Sequence, residues 1–294
     1  MQISKKYKGM CCSILAALFF AGMTACVHLS GDLPSFQKAL FRNLPALAMT
    51  SVVMARRHIS PRVAKGNRLS MFGRCAAGTA GLLMNFYAID RMVLADANML
   101  NKLSPFFAIL FSYFILKEKL KLPQMLGVAA AFCGALLIIK PTGAGLPLLP
   151  AVAGTLGGLG AGLAYTFVRK MGENGEIGTR IIFYFSLFSC VVTTPYFFLA
   201  GKPMSLRQFL ILMLAGVFGA GGQVFITRAY FYAPARELSV YDYTQVLFAT
   251  LWGYFLFGQV PDVLSFLGYA VIIGAAVIMF FYNNQSGPFR PKAN

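Results

Sequence analysis

The stretch ADANMLNKLSPFFAILFSYFILKEKLKLPQMLG, Ala95 to Gly127, decides how the rest of the chain is read. It is an apolar helix whose first half carries Asn98, Asn101, Lys102, Ser104 and Pro105. A basic turn follows (Lys117, Glu118, Lys119, Lys121), and a second apolar helix begins after it. A shift of 141 residues lays this stretch without a gap over RELSVYDYTQVLFATLWGYFLFGQVPDVLSFLG, Arg236 to Gly268. Tyr113 then falls on Tyr254, Phe107 on Phe248, Glu118 on Gln259, Gly127 on Gly268 and Asn101 on Asp242. Polar groups thus recur at one place in two long apolar helices, one per half, a pattern that secondary transporters display.

Composition supports a membrane reading. Of the 294 residues 58% are apolar or aromatic and 12% charged, and the mean hydropathy is +0.67, which excludes most soluble architectures. Apolar runs of about 20 residues, enough to cross ~30 Å of hydrocarbon, recur along the chain. The fold class expected is an all-α polytopic membrane protein of ten spans. They run from about Gly9–Leu29 through Pro34–Met54, Ser70–Ala88, Leu94–Leu116, Pro123–Ile139, Leu149–Val168, Gly178–Leu199, Leu206–Ala229 and Leu238–Phe257 to Val263–Phe281. The first resembles a signal peptide, but the many spans behind it mark it as a retained helix. Residues 1–143 form one five-helix repeat. Residues 144–294 form the second, ending in a polar tail from Asn283 that is expected to be disordered.

The net charge of +17 is spread over short loops, as topology signals are, and forms no aromatic-interleaved basic stripe of the kind that tracks nucleic acid. With the N-terminus inside, eighteen of the 26 Lys and Arg fall on the cytoplasmic side. Five fall outside (Lys38, Arg91, Lys140, Lys202, Arg207) and three within spans (Arg42, Arg74, Lys102). That bias places both termini in the cytoplasm, in a multi-pass protein of the inner membrane. Five spans per half is an odd number, so the second repeat enters the bilayer inverted, and inverted repeats are the physical basis of alternating access.

Candidate substrate-binding residues follow from cost. An intramembrane lysine costs roughly 2.5–3.5 kcal/mol on insertion scales, so Lys102 is expected to face a partner or a wet cavity, with snorkelling to the outer interface as the alternative. Asn98, Asn101 and Pro105 share its helix face. Pro105 removes one backbone hydrogen bond and is expected to kink the helix and free a carbonyl. In the ninth span Asp242 and Gln245 share a face, flanked by Tyr241, Tyr243 and Thr244. Asp242 is the candidate proton-coupling group, the alternative being a structural ion pair with Arg228 or Arg236. Arg42 suits bidentate contact with a carboxylate or phosphate. Asn85, Tyr87, Tyr165 and Gln223 are further polar candidates, with helix–helix hydrogen bonding as the competing role. Gly154, Gly158 and Gly162 read as a packing stripe.

Enzyme chemistry finds little footing. HExxH, GxSxG and a Walker A lysine are absent, and an aspartyl dyad lacks a second carboxylate, Asp242 being the Asp read as lying well inside a span. Six cysteines lie in apolar segments without CxxC spacing and read as buried reduced thiols. No cofactor and no metal is expected. The expected partners are a small-molecule substrate and the lipid bilayer, with a homodimer left open.

The run LADANMLNKLSPFFAILFSYFILKEKL with Gly127 and the Cys133–Leu137 segment resembles the EamA-type drug/metabolite transporter superfamily. In that family the fourth helix starts with small and polar residues, carries a proline and is followed by an acidic residue; Ala95, Ala97, Pro105 and Glu118 stand at those places. The second repeat departs, with Val246 for the proline and Gln259 for the acid. The resemblance implies a secondary transporter, often an exporter of amino acids or other small metabolites, with a cavity lined by both repeats. The alternative is a non-transporting membrane protein, a scaffold, sensor or membrane enzyme.

Overall fold

The computed structural model describes residues 5–117, 122–139, 148–233 and 235–285. The loop residues Glu118, Lys119, Lys121 and Lys140, the linker between the halves and the tail with Arg290 and Lys292 lie outside the described residues, as does the side chain of Arg236. The described chain is helical: α1 (Lys5–Leu29), α2 (Ser35–Arg56), α3 (Arg68–Ile89), α4 (Leu94–Asn101), α5 (Ser104–Ile115), α6 (Leu122–Ile139), α7 (Leu148–Glu173), α8 (Gly178–Ala200), α9 (Leu206–Tyr232), α10 (Ala235–Asp242), α11 (Thr244–Phe257) and α12 (Val263–Gln285).

Among the described residues six helices are long and apolar enough to cross a membrane by length and composition: α1, α6, α7, α8, α9 and α12. The other four expected spans differ for two physical reasons. Helices α2 and α3 have 22 residues each, but Lys38 and Arg42 dilute the apolar run of the first and Arg74 that of the second. The fourth and ninth spans are each broken in two, α4 from α5 at Lys102–Leu103 and α10 from α11 at Tyr243. A helix broken inside a bilayer must satisfy its freed backbone groups against protein or a wet cavity.

The break in the fourth span lies just before the proline. Pro105 sits in the first turn of α5, where a missing N–H costs nothing. The Phe106 amide bonds the Leu103 carbonyl at 3.0 Å rather than that of Lys102, four residues back. The Lys102 carbonyl is therefore left without an intrahelical donor.

The helix pairs that pack most extensively all cross between the halves: α3 on α7, α1 on α9, α6 on α12 and α2 on α8. Matching the halves in order, the first two pairs are images of each other and the last two map onto themselves, so the packing has a pseudo-two-fold. The glycine stripe serves this packing. A Cβ at Gly158 would stand 2.8 Å from the Leu100 carbonyl oxygen, and one at Gly162 would stand 2.6 Å from that of Ser104. Glycine there lets α7 lie directly on the broken α4–α5 backbone, the close approach that small residues permit.

The outer surface is strongly apolar, with Phe198, Leu199, Leu206, Phe255 and Val263 exposed, a surface fit for lipid rather than water. Cys11 and Cys133 lie on it, which corrects the expectation of uniformly buried thiols; Cys26, Cys75 and Cys190 are buried, and all six are free.

Candidate functional site

A polar cavity lies where the middles of α1, α3, α7 and α9 meet the two helix breaks. Its lining includes Thr24, Arg42, Arg74, Asn85, Asn101, Lys102, Tyr165, Gln223 and Gln245, with Phe20, Met23 and Phe185 supplying apolar wall. Seven of the residues singled out from sequence come together here: Arg42, Asn85, Asn101, Lys102, Tyr165, Gln223 and Gln245.

Two fully buried guanidinium groups dominate the electrostatics. Arg42 of α2 donates from Nη1 to Asn43 Oδ1 at 2.6 Å and from Nε toward Met23 Sδ at 3.2 Å. Arg74 of α3 donates from Nη2 to Gln223 Oε1 at 3.0 Å, while its Nε has no hydrogen-bond partner among the described residues. Both cations lie over the Phe185 ring, Arg74 at 4.1 Å and Arg42 at 5.8 Å from its centroid. Ring faces attract cations, but one ring is weak compensation for two desolvated charges. Among the described residues neither arginine pairs with a carboxylate; the ion pairs recorded there join Lys38–Asp90, Arg169–Glu173, Arg180–Glu176 and Lys202–Asp32.

Room for each guanidinium comes from a glycine. Gly219 of α9 faces Arg42, whose Nε would be 2.6 Å from a Cβ there, and Gly78, one turn beyond Arg74 on α3, leaves space that the Arg74 Nη1 fills. These two glycines stand 141 positions apart, the repeat offset.

Lys102 lies in the turn between α4 and α5 and is 7% exposed, so it is a buried cavity residue and does not snorkel. The charge that acts on it is Asp242. Asp242 stands behind the lining, buried, and accepts a hydrogen bond from the Ser13 hydroxyl of α1. The alternative pairing with Arg228 does not form, because Arg228 points outward and is exposed.

The other candidates are placed elsewhere. Asn98 is buried one turn from the cavity, bonding the Leu94 carbonyl at 2.7 Å and accepting from Gln245 Nε2 at 2.7 Å, so it orients Gln245 rather than facing the lumen. Pro105 is buried in the α5 start. Tyr87 lies under the Arg91 guanidinium, 4.0 Å from its ring centroid, and Tyr241 packs edge-on against Phe280 at 5.7 Å. Each of these three is carried off the lining by the helix turn on which it stands.

Two functional-looking groups were not among the sequence candidates. Arg74 was counted only as a cation within a span. Asp96, in the first turn of α4, is buried and accepts from the Tyr269 hydroxyl at 2.5 Å. Lys38, assigned to an outer loop, is buried in α2 and bonds Asp90 at 2.6 Å.

Matching networks lie at the two ends of the bundle. At one end the Gln37 side chain exchanges hydrogen bonds with the Lys202 backbone, Lys202 pairs with Asp32, and Gln208 bonds the Ser30 carbonyl. The Lys202 hydrogen bond holds the exposed Asp32 carboxyl below its usual range. At the other end Glu176 accepts from Asn67 at 3.2 Å and from Arg180, while Arg180 and Tyr184 bond the Ser60 and Pro61 carbonyls. In both cases the loop after a half's second helix rests on the second helix of the other half and on the turn that precedes it.

These features define a class: a multi-pass helical membrane protein with a polar cavity enclosed between two repeats and floored by broken helices. The chain belongs to the EamA-like transporter family, whose model matches residues 7–140 and again 148–281. It is 30% identical to the pseudopaline exporter CntI of Pseudomonas aeruginosa (strain UCBPP-PA14), over 92% of this chain and 95% of the relative. It is 27% identical to a riboflavin transporter of Brucella anthropi, over 95% and 98%, and 25% identical to the human solute carrier family 35 member G1, over 94% and 81%. A solved crystal structure superposes with a TM-score of 0.70 at 14% identity, covering 94% of this chain and 98% of that one, a likeness of fold. The three named relatives are an exporter, a transporter and a solute carrier, and a transporter role fits this chain.

Proposed function

We propose that this protein is a secondary active transporter that exports a small polar metabolite, such as an amino acid, by alternating access. The observation that carries the reading is the cavity at the two helix breaks, lined by Arg42, Arg74, Lys102, Asn101 and Gln245. Discontinuous helices at corresponding places in two repeats are where transporters of this architecture bind solute. The ten-span inverted topology, the inner-membrane location and the cytoplasmic termini complete the proposal, and the loop-cation bias supports them. The matching end networks supply two gates, one of which opens as the other closes.

Asp242 is the proposed proton carrier. It lies within electrostatic reach of Lys102, and a carboxylate in a low-dielectric site takes up a proton from water, or releases one to it, according to the charge of its neighbours. The export reading also draws support from the pseudopaline exporter among the relatives. Comparing the extracellular metabolites of cells with and without the protein tests it. A solute enriched outside only the expressing cells, and not those expressing Lys102→Leu, is the expected outcome. Identical profiles in all three would refute export.

A further inference from the structure

The sequence leaves the solute's charge open; the cavity does not. Arg42 and Arg74 are 1% and 2% exposed, share the Phe185 ring, and repel each other across the same space. Their hydrogen-bond partners, Asn43, Met23 and Gln223, are all neutral. Arg74 Nε is a buried donor without a partner among the described residues. Lys102 lines the same cavity and adds a third cation, while Asp242, behind the lining, bonds Ser13 and acts on Lys102. Two desolvated like charges without a counter-ion are strongly unfavourable. Arginine's planar fork is suited to carboxylate and phosphate oxygens.

We propose that Arg42 and Arg74 form an anion-binding subsite and that the transported solute carries a carboxylate or phosphate which bridges the two guanidinium groups. The inference rests on the transporter reading and sharpens its substrate class. The paired glycines support it: Gly78 and Gly219, at one repeat position, hold open the space in which the guanidinium groups lie. Asn43 fixes Arg42 in turn, since its amide nitrogen bonds Ser189 of α8 at 2.8 Å and leaves its oxygen for Arg42.

Thermal unfolding of the purified full-length protein in detergent tests the subsite without a transport assay. In a buffer whose small anion is chloride, Arg42→Gln and Arg74→Gln should melt as high as the wild type or higher, because each removes an uncompensated buried charge. Adding citrate or glutamate (carboxylate arm) or glycerol 3-phosphate (phosphate arm) should raise the wild-type melting temperature by about 5 °C in at least one arm. Both variants should lose that rise, and glycerol should produce none. The responding arm identifies the anion. A wild type flat in both arms, or variants that melt far below it in chloride, would overturn the subsite and make the arginines structural. Transport of a neutral or cationic solute with both arginines intact would defeat this inference and leave the transporter reading standing.

Discussion

The Tyr243 hydroxyl donates to the backbone carbonyl of Lys102 at 3.0 Å, and the two residues stand 141 positions apart. That separation is the repeat offset, so each residue occupies in its own half the place where the span breaks. The bond ties one helix break to the other across the pseudo-two-fold. It also satisfies the carbonyl that the break before Pro105 sets free. An element that holds both broken helices together is well placed to make them move together.

Replacing Tyr243 with Phe keeps the ring but leaves the Lys102 carbonyl buried and unpaired. An orphaned buried acceptor costs about 1–3 kcal/mol. The variant should therefore melt several degrees below the wild type, with unchanged helix content by circular dichroism. An unchanged melting curve would mean that the carbonyl finds another donor.

Gly78→Ala places a methyl group in the space that the Arg74 Nη1 fills. The closest obstruction is the end of a flexible side chain, with the Phe185 ring edge next at 3.0 Å, so the helices should still pack while the guanidinium moves off Phe185 and the ring gives slightly. Membrane abundance near wild type with transport lost is the expected result. Gly66→Ala, which meets no atom within 4 Å, is the control and should transport normally. Full activity in Gly78→Ala would show that the position of Arg74 does not matter.

Glu176 gives a pH dependence at one end of the bundle. Burial works to raise its carboxyl, but hydrogen bonds from Asn67, the Ile177 amide and Arg180 outweigh this and hold it below its usual value of 4.5. A carboxyl lowered by folding contributes stability that is present above its unfolded value and lost as pH falls through the folded one. The wild type should therefore lose stability below about pH 4.5, and Glu176→Gln should lose less over that range while starting roughly 1–2 kcal/mol less stable at pH 7. Parallel pH profiles for the two proteins would exclude Glu176 as the titrating group.

The proposed orientation is open to labelling. A cysteine at Lys202, in a background without Cys11, Cys12, Cys26, Cys75, Cys133 and Cys190, should react with an impermeant maleimide in intact cells. One at Lys65 should not. The reverse pattern would invert the protein in the membrane.

Much of this molecule was legible in its sequence, and the parts that were not have identifiable causes. Hydropathy located the helical segments, because burying an unpaired backbone in lipid forbids most alternatives. The 141-residue shift paired the two stretches that break, but only a kink at Pro105 was expected. The first break falls at Lys102–Leu103, since a proline is best tolerated in a first turn, and the second, at Tyr243, has no proline to announce it. Arg74 was hidden because a lone arginine in an apolar run carries no information about its neighbours. Its signal lay in Gly78 and Gly219 at the repeat offset, two glycines that only the folded chain reveals as space for arginines. Asn98 and Gln245 looked alike as helix-face amides, and their bond to each other decides which of them lines the cavity.

The central claim is that the cavity carries solute across the membrane. Purified protein in liposomes loaded with an isotope-labelled metabolite extract tests it most directly, with solute exit followed by mass spectrometry. At least one solute, bearing a carboxylate or phosphate, should leave wild-type vesicles and stay in those with Asn101→Leu or Lys102→Leu. Asp242→Asn should still exchange that solute yet fail to accumulate it when a proton gradient is imposed. Wild-type vesicles that retain every solute as protein-free vesicles do would contradict the account.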